Sequence, residues 1–82
     1  MIVPGIYKHF KGNRYRVLGL AQNSETGETL VIYQRQLHTA DEGEIKTWAR
    51  PLKMFEELVT VEEGKQVPRF EFIHGVHWSM TW

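Results

Sequence analysis

Hydrophobic and polar positions alternate with a period of two over several short stretches of this chain, a pattern typical of half-buried β-strands. Turn-forming residues separate these stretches. Gly19 interrupts one of them, and a glycine inside a strand predicts a bulge or a bend. The strands predicted from this pattern cover residues 5–10, 14–22, 29–36, 45–50, 59–62 and 66–73. We therefore expect a mainly β protein whose consecutive strands form hairpins.

One short helical turn is predicted between the strands. Pro51 suits the first position of a helix, and Leu52, Phe55 and Leu58 follow at intervals of three residues. A turn of helix that carries these side chains would cap one end of the fold. Five to six short antiparallel strands with one helical turn, in a chain of 82 residues, predict a small SH3-like β-barrel.

The alternation also predicts which residues of the long hairpin point inward. The core residues expected in that hairpin are Tyr15, Val17, Leu30 and Ile32. Tyr33 would then point outward, since successive side chains of a strand lie on opposite faces.

Length and composition limit the protein to one small domain. We expect the barrel to span residues 1–73, with residues 74–82 as a tail that forms an extra strand or a contact segment. The chain has no cysteine, which excludes disulfide bonds, thiolate metal sites and a cysteine nucleophile. No apolar run approaches the roughly 20 residues of a membrane span, and no signal-peptide pattern is visible. These features favour a cytoplasmic protein without a membrane partner.

Charge is distributed unevenly along a chain whose formal net charge is zero. Zero net charge argues against a nucleic-acid binder that acts through bulk charge. The first 20 residues nevertheless contain Lys8, Lys11, Arg14 and Arg16 and no acid, whereas acidic residues predominate in residues 41–63. Either the two stretches pair or face solvent, or the protein has a local basic face.

Aromatic and cationic residues alternate along the strands, and this combination favours a binding site. Exposed aromatic rings of small barrels stack on bases, peptides or planar ligands, and an arginine can hold a phosphate or carboxylate through two hydrogen bonds. The candidate ligand-binding residues are His9, Lys11, Arg14, Tyr33, Trp48 and Arg50. Tyr15 and Phe55 are more typical of the core, because aromatic side chains dominate core burial.

The residues of a catalytic centre are not recognisable in the sequence. Ser24, His9 and Glu25 or Asp41 could form a triad on paper, but no nucleophile elbow or oxyanion-hole pattern accompanies them. We expect no catalytic residue and no cofactor. The alternative is a small enzyme, or an accessory subunit of one, that uses His9 with a carboxylate for acid–base chemistry.

The C-terminal segment contains two further candidate features. His74 and His77 form an H-x-x-H pair that could contribute to a metal site, although a solvated pair is the more common role for tail histidines. Trp78 and Trp82 are apolar enough to fold back on the domain or to dock on a partner. A structural homodimer formed through this tail is therefore a second alternative.

Several segments together resemble one known protein family. They are YKHFKGNRYRVLG at residues 7–19, SETGE at 24–28, VIYQ at 31–34, WARPLKMF at 48–55 and VPRF at 67–70. In order and spacing they resemble the domain of unknown function 1653 family of small bacterial proteins, over residues 5–73. The resemblance implies a compact β domain in a bacterial or phage cytoplasm, and it transfers no catalytic role to any residue. The sequence thus indicates a small binding or adaptor module for a nucleic acid, a peptide or a small anionic ligand, with an unknown partner.

Overall fold

The structure, a computed structural model, describes residues 2–36 and 46–75. These residues are mainly β, as predicted. The strands are β1 (Gly5–His9), β2 (Arg14–Gln22), β3 (Thr29–Arg35), β4 (Thr47–Pro51), β5 (Leu58–Thr60), β6 (Gln66–Pro68) and β7 (Phe70–Gly75). A helix α1 (Leu52–Phe55) follows β4, and a 3₁₀ turn (Glu62–Gly64) connects β5 to β6.

The strands form two antiparallel sheets. The larger sheet has the order β4-β3-β2-β1-β7, and the smaller one pairs β5 with β6. Within the described residues the outermost strands of the larger sheet, β4 and β7, do not pair with one another. Closure into an SH3-like barrel is therefore not confirmed, whereas the antiparallel strands and the short helix are.

The loop between β2 and β3 is held by its own polar groups. The Oδ1 atom of Asn23 accepts hydrogen bonds from the backbone N–H groups of Glu25 (2.9 Å) and Thr26 (3.2 Å). Gly27 follows with φ = 75°, a conformation that glycine adopts without steric cost. This local chemistry forms the predicted hairpin.

A bulge interrupts the pairing of β2 with β3 at the predicted place. The register shifts between Val17 and Gly19, so that Val17 faces Tyr33 whereas Leu20 faces Val31. Such a bulge bends the strand and increases its twist. The bend curves the sheet and creates a concave side.

The core uses the face of β3 opposite to the predicted one. Val31 and Tyr33 are buried, with exposed fractions of 0% and 6%, whereas Leu30 and Ile32 are only partly buried. The prediction was wrong because β3 carries apolar residues on both faces, and alternation alone does not distinguish the two. The register decides: Tyr33 lies opposite Val17 and therefore shares its inward face.

Helix α1 covers the concave side with one aromatic ring. Phe55 is buried and stacks on Phe70, with ring centroids 4.1 Å apart and an interplanar angle of 2°. Leu52 packs against the same core. Leu58, which was predicted to belong to the helical cap, is instead exposed and begins β5, since the helix ends at Phe55.

Backbone hydrogen bonds at Arg69 join the two sheets. The N–H of Arg69 donates to the carbonyl of Glu57 (2.9 Å), and the carbonyl of Arg69 accepts from the N–H of Phe10 (3.0 Å). Arg69 follows Pro68, the last residue of the short edge strand β6. The link places the side chain of Arg69 close to the end of β1.

Candidate functional site

The candidate site lies on the concave face of the larger sheet, which we call the inner face. Directly opposed residues of antiparallel strands point to the same side, so the pairs Val17–Tyr33, Tyr33–Trp48, Val31–Arg50 and His9–Phe70 define this face. By this rule its members are Gly5, Tyr7, His9, Tyr15, Val17, Leu20, Val31, Tyr33, Arg35, Trp48, Arg50, Phe70 and Phe72. It therefore combines the core with several of the predicted ligand-binding residues.

Phe70 is surrounded by aromatic rings. The centroids of Tyr15 and Tyr33 lie 5.6 and 5.7 Å from its own, both at near-perpendicular angles, and Phe55 stacks on it. Edge-to-face packing at these distances is the favoured geometry of aromatic pairs. The cluster gives the inner face a rigid apolar floor.

Arg50 lies on this floor and is held in place from two sides. Its Nε donates a hydrogen bond to the hydroxyl of Tyr33 (3.3 Å), and its guanidinium carbon lies 5.7 Å from the centroid of Phe70. In the described part of the chain Arg50 has no carboxylate at ion-pair distance. No described residue accepts a hydrogen bond from its terminal nitrogens, the donors with which a guanidinium binds an anion.

His9 contacts the same ring from the β1 side. Its imidazole lies 4.9 Å from Phe70, centroid to centroid, and its Nδ1 is 3.1 Å from the backbone N–H of Lys11. A backbone N–H can only donate, so Nδ1 accepts and the neutral ring carries its proton on Nε2. Burial lowers the pKa of His9 below its ordinary value, and the positive charges of Arg69, Arg50 and Lys11 lower it further.

Arg69 is a cation near this site that is not among the residues predicted from the sequence. Its Nη2 donates to the Oε1 of Glu57 at 2.8 Å, and its buried Nε has no hydrogen-bond partner among the described residues. The residue belongs to the VPRF segment that carries part of the family resemblance. That segment was a signal for the family, but strand alternation does not indicate that the charge of Arg69 acts on His9.

The other predicted ligand-binding residues divide between the two faces. Trp48 is 39% exposed, with its ring 5.8 Å from Tyr33 and 6.2 Å from Tyr15. Lys11 lies in the turn beside His9, at the rim. Arg14 lies opposite Lys8 in the register of β1 and β2, and its side chain points to the other side of the sheet. The structure thus brings His9, Lys11, Tyr33, Trp48 and Arg50 together and separates Arg14 from them.

Tyr33 differs from its expected role as an outward ligand-binding residue. Its ring is buried in the core, and its hydroxyl is the group that reaches Arg50. It therefore positions the arginine and offers no exposed ring face to a ligand. The register with Val17 that places it in the core also explains this difference.

The residues proposed for catalysis and for a metal site are not assembled in the described structure. No carboxylate of residues 2–36 and 46–75 is hydrogen bonded to His9, and Ser24 is exposed in the β2–β3 loop. Asp41 and His77 lie outside the described residues. The Nδ1 atom of His74 is 3.1 Å from the carbonyl of Gly75, and no group of three potential metal ligands occurs in the part of the chain that is described.

Among the described residues, no helix is long and apolar enough to span a membrane. Trp78 and Trp82, the tail residues proposed for a dimer contact, lie outside those segments.

Comparison with known proteins gives a family without an assigned activity. The model of the family described as "Protein of unknown function (DUF1653)" matches residues 5–72. A crystal structure of a DUF1653 protein from Bordetella bronchiseptica is similar to this chain with a TM-score of 0.76 and 36% sequence identity, and the match covers 93% of this chain and 92% of the other. No curated protein matches. The match over most of the sequence, together with the shared fold, shows that the chain belongs to the DUF1653 family, as the resemblance of its motifs predicted.

Proposed function

We propose that this protein is a non-catalytic binding module that holds a small anionic ligand on its inner face. The observation that carries the proposal is the common contact of Arg50 and His9 with the ring of Phe70. The guanidinium carbon and the imidazole centroid lie 5.7 and 4.9 Å from the centroid of that ring, and the charge of Arg50 contributes to the lowered pKa of His9. Among the described residues no carboxylate neutralises the guanidinium. A positive site of this kind is complementary to a phosphate or a carboxylate.

Arg50 is suited to be the anchor of the ligand. Its contacts with Tyr33 and Phe70 fix the guanidinium before a ligand arrives, which lowers the entropy lost on binding. A fixed guanidinium can bind two oxygens of one anion at once. The Nε2–H of His9 adds a donor from β1, which contacts Phe70 from the other side of the sheet order.

Trp48 supplies an apolar surface for the remainder of the ligand. It lies two residues before Arg50 on the same face of β4, about 7 Å away along the strand. Its ring meets Tyr15 edge to face, so the two rings leave no slot between them, and a planar group would lie on the exposed side of Trp48. A ligand with an anionic group next to a planar one therefore fits better than a long peptide or polynucleotide.

Titration with simple probes tests this site. We expect phenyl phosphate and benzoate to shift the indole N–H resonance of Trp48 and the amide resonances of β4 in ¹⁵N–¹H correlation spectra. Inorganic phosphate should bind more weakly, because it has no planar group. Concentrations of about 10 mM suffice to fill a millimolar site.

Two variants with the same change of charge provide the control. Arg50→Gln removes the anchor and should reduce the affinity for phenyl phosphate at least tenfold, a loss that corresponds to about 1.4 kcal/mol. Arg14→Gln, on the other side of the sheet, should leave it unchanged. Equal shifts in wild type and Arg50→Gln, or none with any probe, would contradict the proposal.

We also propose the finer features that the sequence suggested. An SH3-like barrel is supported by the antiparallel meander β1–β4, the short helix and the small second sheet. A bacterial cytoplasmic setting is supported by the absence of cysteine and by the similarity to the Bordetella bronchiseptica protein. The proposed domain of residues 1–73 is followed by the tail 74–82, whose first two residues still pair as the end of β7.

A homodimer formed through the tail is a second candidate, which one apolar groove favours. Val3, Leu58 and Phe72 line this groove and are each 45% exposed or more. Phe72 belongs to the edge strand β7, which leads directly into the segment with Trp78 and Trp82. Burial of such an exposed patch is a common reason for association.

Sedimentation measurements distinguish the dimer from a monomer. If the tail joins two copies, the mass should approach twice 9.7 kDa as the concentration rises, and removal of residues 76–82 should abolish that rise. A monomer mass that is independent of concentration would exclude this candidate.

A further inference from the structure

We infer that the outer face of the sheet carries a second, independent site that binds the phosphodiester backbone of a nucleic acid. The face is defined by the pairs Lys8–Arg14 and Ile6–Arg16 of β1 and β2. These pairs point away from the inner face, since they alternate with the pair Tyr7–Tyr15. We call Lys8, Arg14 and Arg16 the outer basic patch.

The three cations of the outer basic patch lie close together. Lys8 and Arg14 are directly opposite one another, about 5 Å apart at Cβ, and Arg16 lies two residues further along β2 on the same face. All three residues are exposed. They form a compact positive surface on a protein whose formal net charge is zero.

The described part of the domain contains no partner for the charges of the outer basic patch. Across residues 2–36 and 46–75, none of the three side chains takes part in a hydrogen bond or an ion pair. Arg69, in contrast, is paired with Glu57 at 2.8 Å. Among the described residues the acid nearest in register is Glu71, which faces Lys8 from β7, and no described acid lies opposite either arginine.

The arrangement has an energetic cost that an external anion would relieve. Like charges directly opposite each other on neighbouring strands are destabilising. The outer basic patch is poorly suited to hydrophobic contact with a protein partner. Its members are long, flexible cations, and the strand pairs that define it contain no aromatic residue. Repeated negative charges along a backbone are the complementary chemistry, since a row of phosphates contacts several cations at once.

Binding through phosphates alone has a defined signature. It should be independent of base sequence and weaken steeply with salt, because each neutralised phosphate releases a counterion. Three contacts on duplex DNA predict a slope of log K against log salt concentration of about −2.7. Between 50 and 200 mM salt this slope corresponds to about a 40-fold loss of affinity.

Fluorescence anisotropy with a duplex of about 20 base pairs and a single strand of about 20 thymidylates tests the inference. We expect Arg14→Gln and Arg16→Gln each to weaken binding to these DNA probes about tenfold at 50 mM salt and to reduce the slope by about 0.9. The control is Lys65→Gln, which removes one positive charge from the exposed turn between β5 and β6 and should leave DNA binding unchanged. Thermal unfolding should show both outer variants folded, because both arginines are exposed and Arg14 lies opposite the like charge of Lys8.

The outcomes separate this site from the proposed inner one. Absence of binding to either DNA at 50 mM salt overturns the inference, as does loss of binding in Arg50→Gln with retention in Arg14→Gln. Binding to phosphatidylserine vesicles without binding to DNA also overturns it and identifies the patch as a membrane contact. The phenyl phosphate titration is independent of all these results.

Discussion

At the scale of single residues, the aromatic rings of the inner face determine the positions of the polar groups that contact them. Phe70 is a core residue, yet both Arg50 and His9 rest against its ring. Tyr33 likewise combines a buried ring with a hydroxyl that reaches Arg50. The same side chains therefore stabilise the fold and fix the geometry of the candidate site.

The environment of His9 predicts a pH dependence of stability. Its folded-state pKa is lowered, so the unfolded chain binds more protons than the folded one between the ordinary value of 6.5 and the folded value. The resulting stability is present above pH 6.5 and is lost as the pH falls through the folded pKa. We expect wild-type protein to lose more stability than His9→Gln across this window, as measured by urea unfolding.

Titration of the His9 ring resonances checks the assigned cause of this shift. In Arg50→Gln the pKa of His9 should rise toward its ordinary value, because one of the positive charges that lower it is gone. Arg14→Gln, which faces the other side, should leave it where it is. A His9 pKa at or above 6.5 in wild type would contradict this description of the site.

At the scale of elements, the site depends on the close approach of β1 and β7. Gly5 pairs with Gly75, and a Cβ on Gly5 would lie 2.6 Å from the carbonyl oxygen of His74. Gly5 also has φ = 157°. The two strands pair this closely because no side chain occupies position 5.

Substitution of the two paired glycines measures that requirement. Gly5→Ala must displace the backbone of β7 and should lower the free energy of unfolding by about 2 kcal/mol. Gly75→Ala meets no atom within 4 Å and should change it little. Equal midpoints of denaturant unfolding for the two variants would contradict this expectation, because they would show that β7 moves away from position 5 without loss of stability.

Local sequence patterns predict where the strands and the helix of this protein lie better than they predict which face of each strand is buried. The hairpin of β2 and β3, the bulge at Gly19 and the helix after Pro51 follow from turn chemistry and spacing, and all are observed. The inward face of β3 was assigned wrongly because its run Leu-Val-Ile-Tyr is apolar on both sides. In a strand that is apolar on both faces, the register with the partner strands determines which face is buried.

At the scale of the whole molecule, the candidate site depends on pairings that local sequence does not encode. His9 and Phe70 meet only because β1 pairs with β7, and no nearby residues specify that partnership. Arg14 was grouped with Trp48 and Arg50 by composition, whereas the register places it on the other face. The sequence therefore predicted five residues that the structure brings together, but neither Arg69 nor the division of the candidates between the two faces.

The pairing of β1 with β7 also determines when the site can form. The larger sheet has the order β4-β3-β2-β1-β7, so four of its strands are neighbours in the chain and can assemble early. The fifth strand closes a loop that contains nearly the whole sequence, a slow step in folding because of its entropic cost. During synthesis the first half of the chain can form hairpins. Arg50 and His9 can contact the ring of Phe70 only after β7 has left the ribosome.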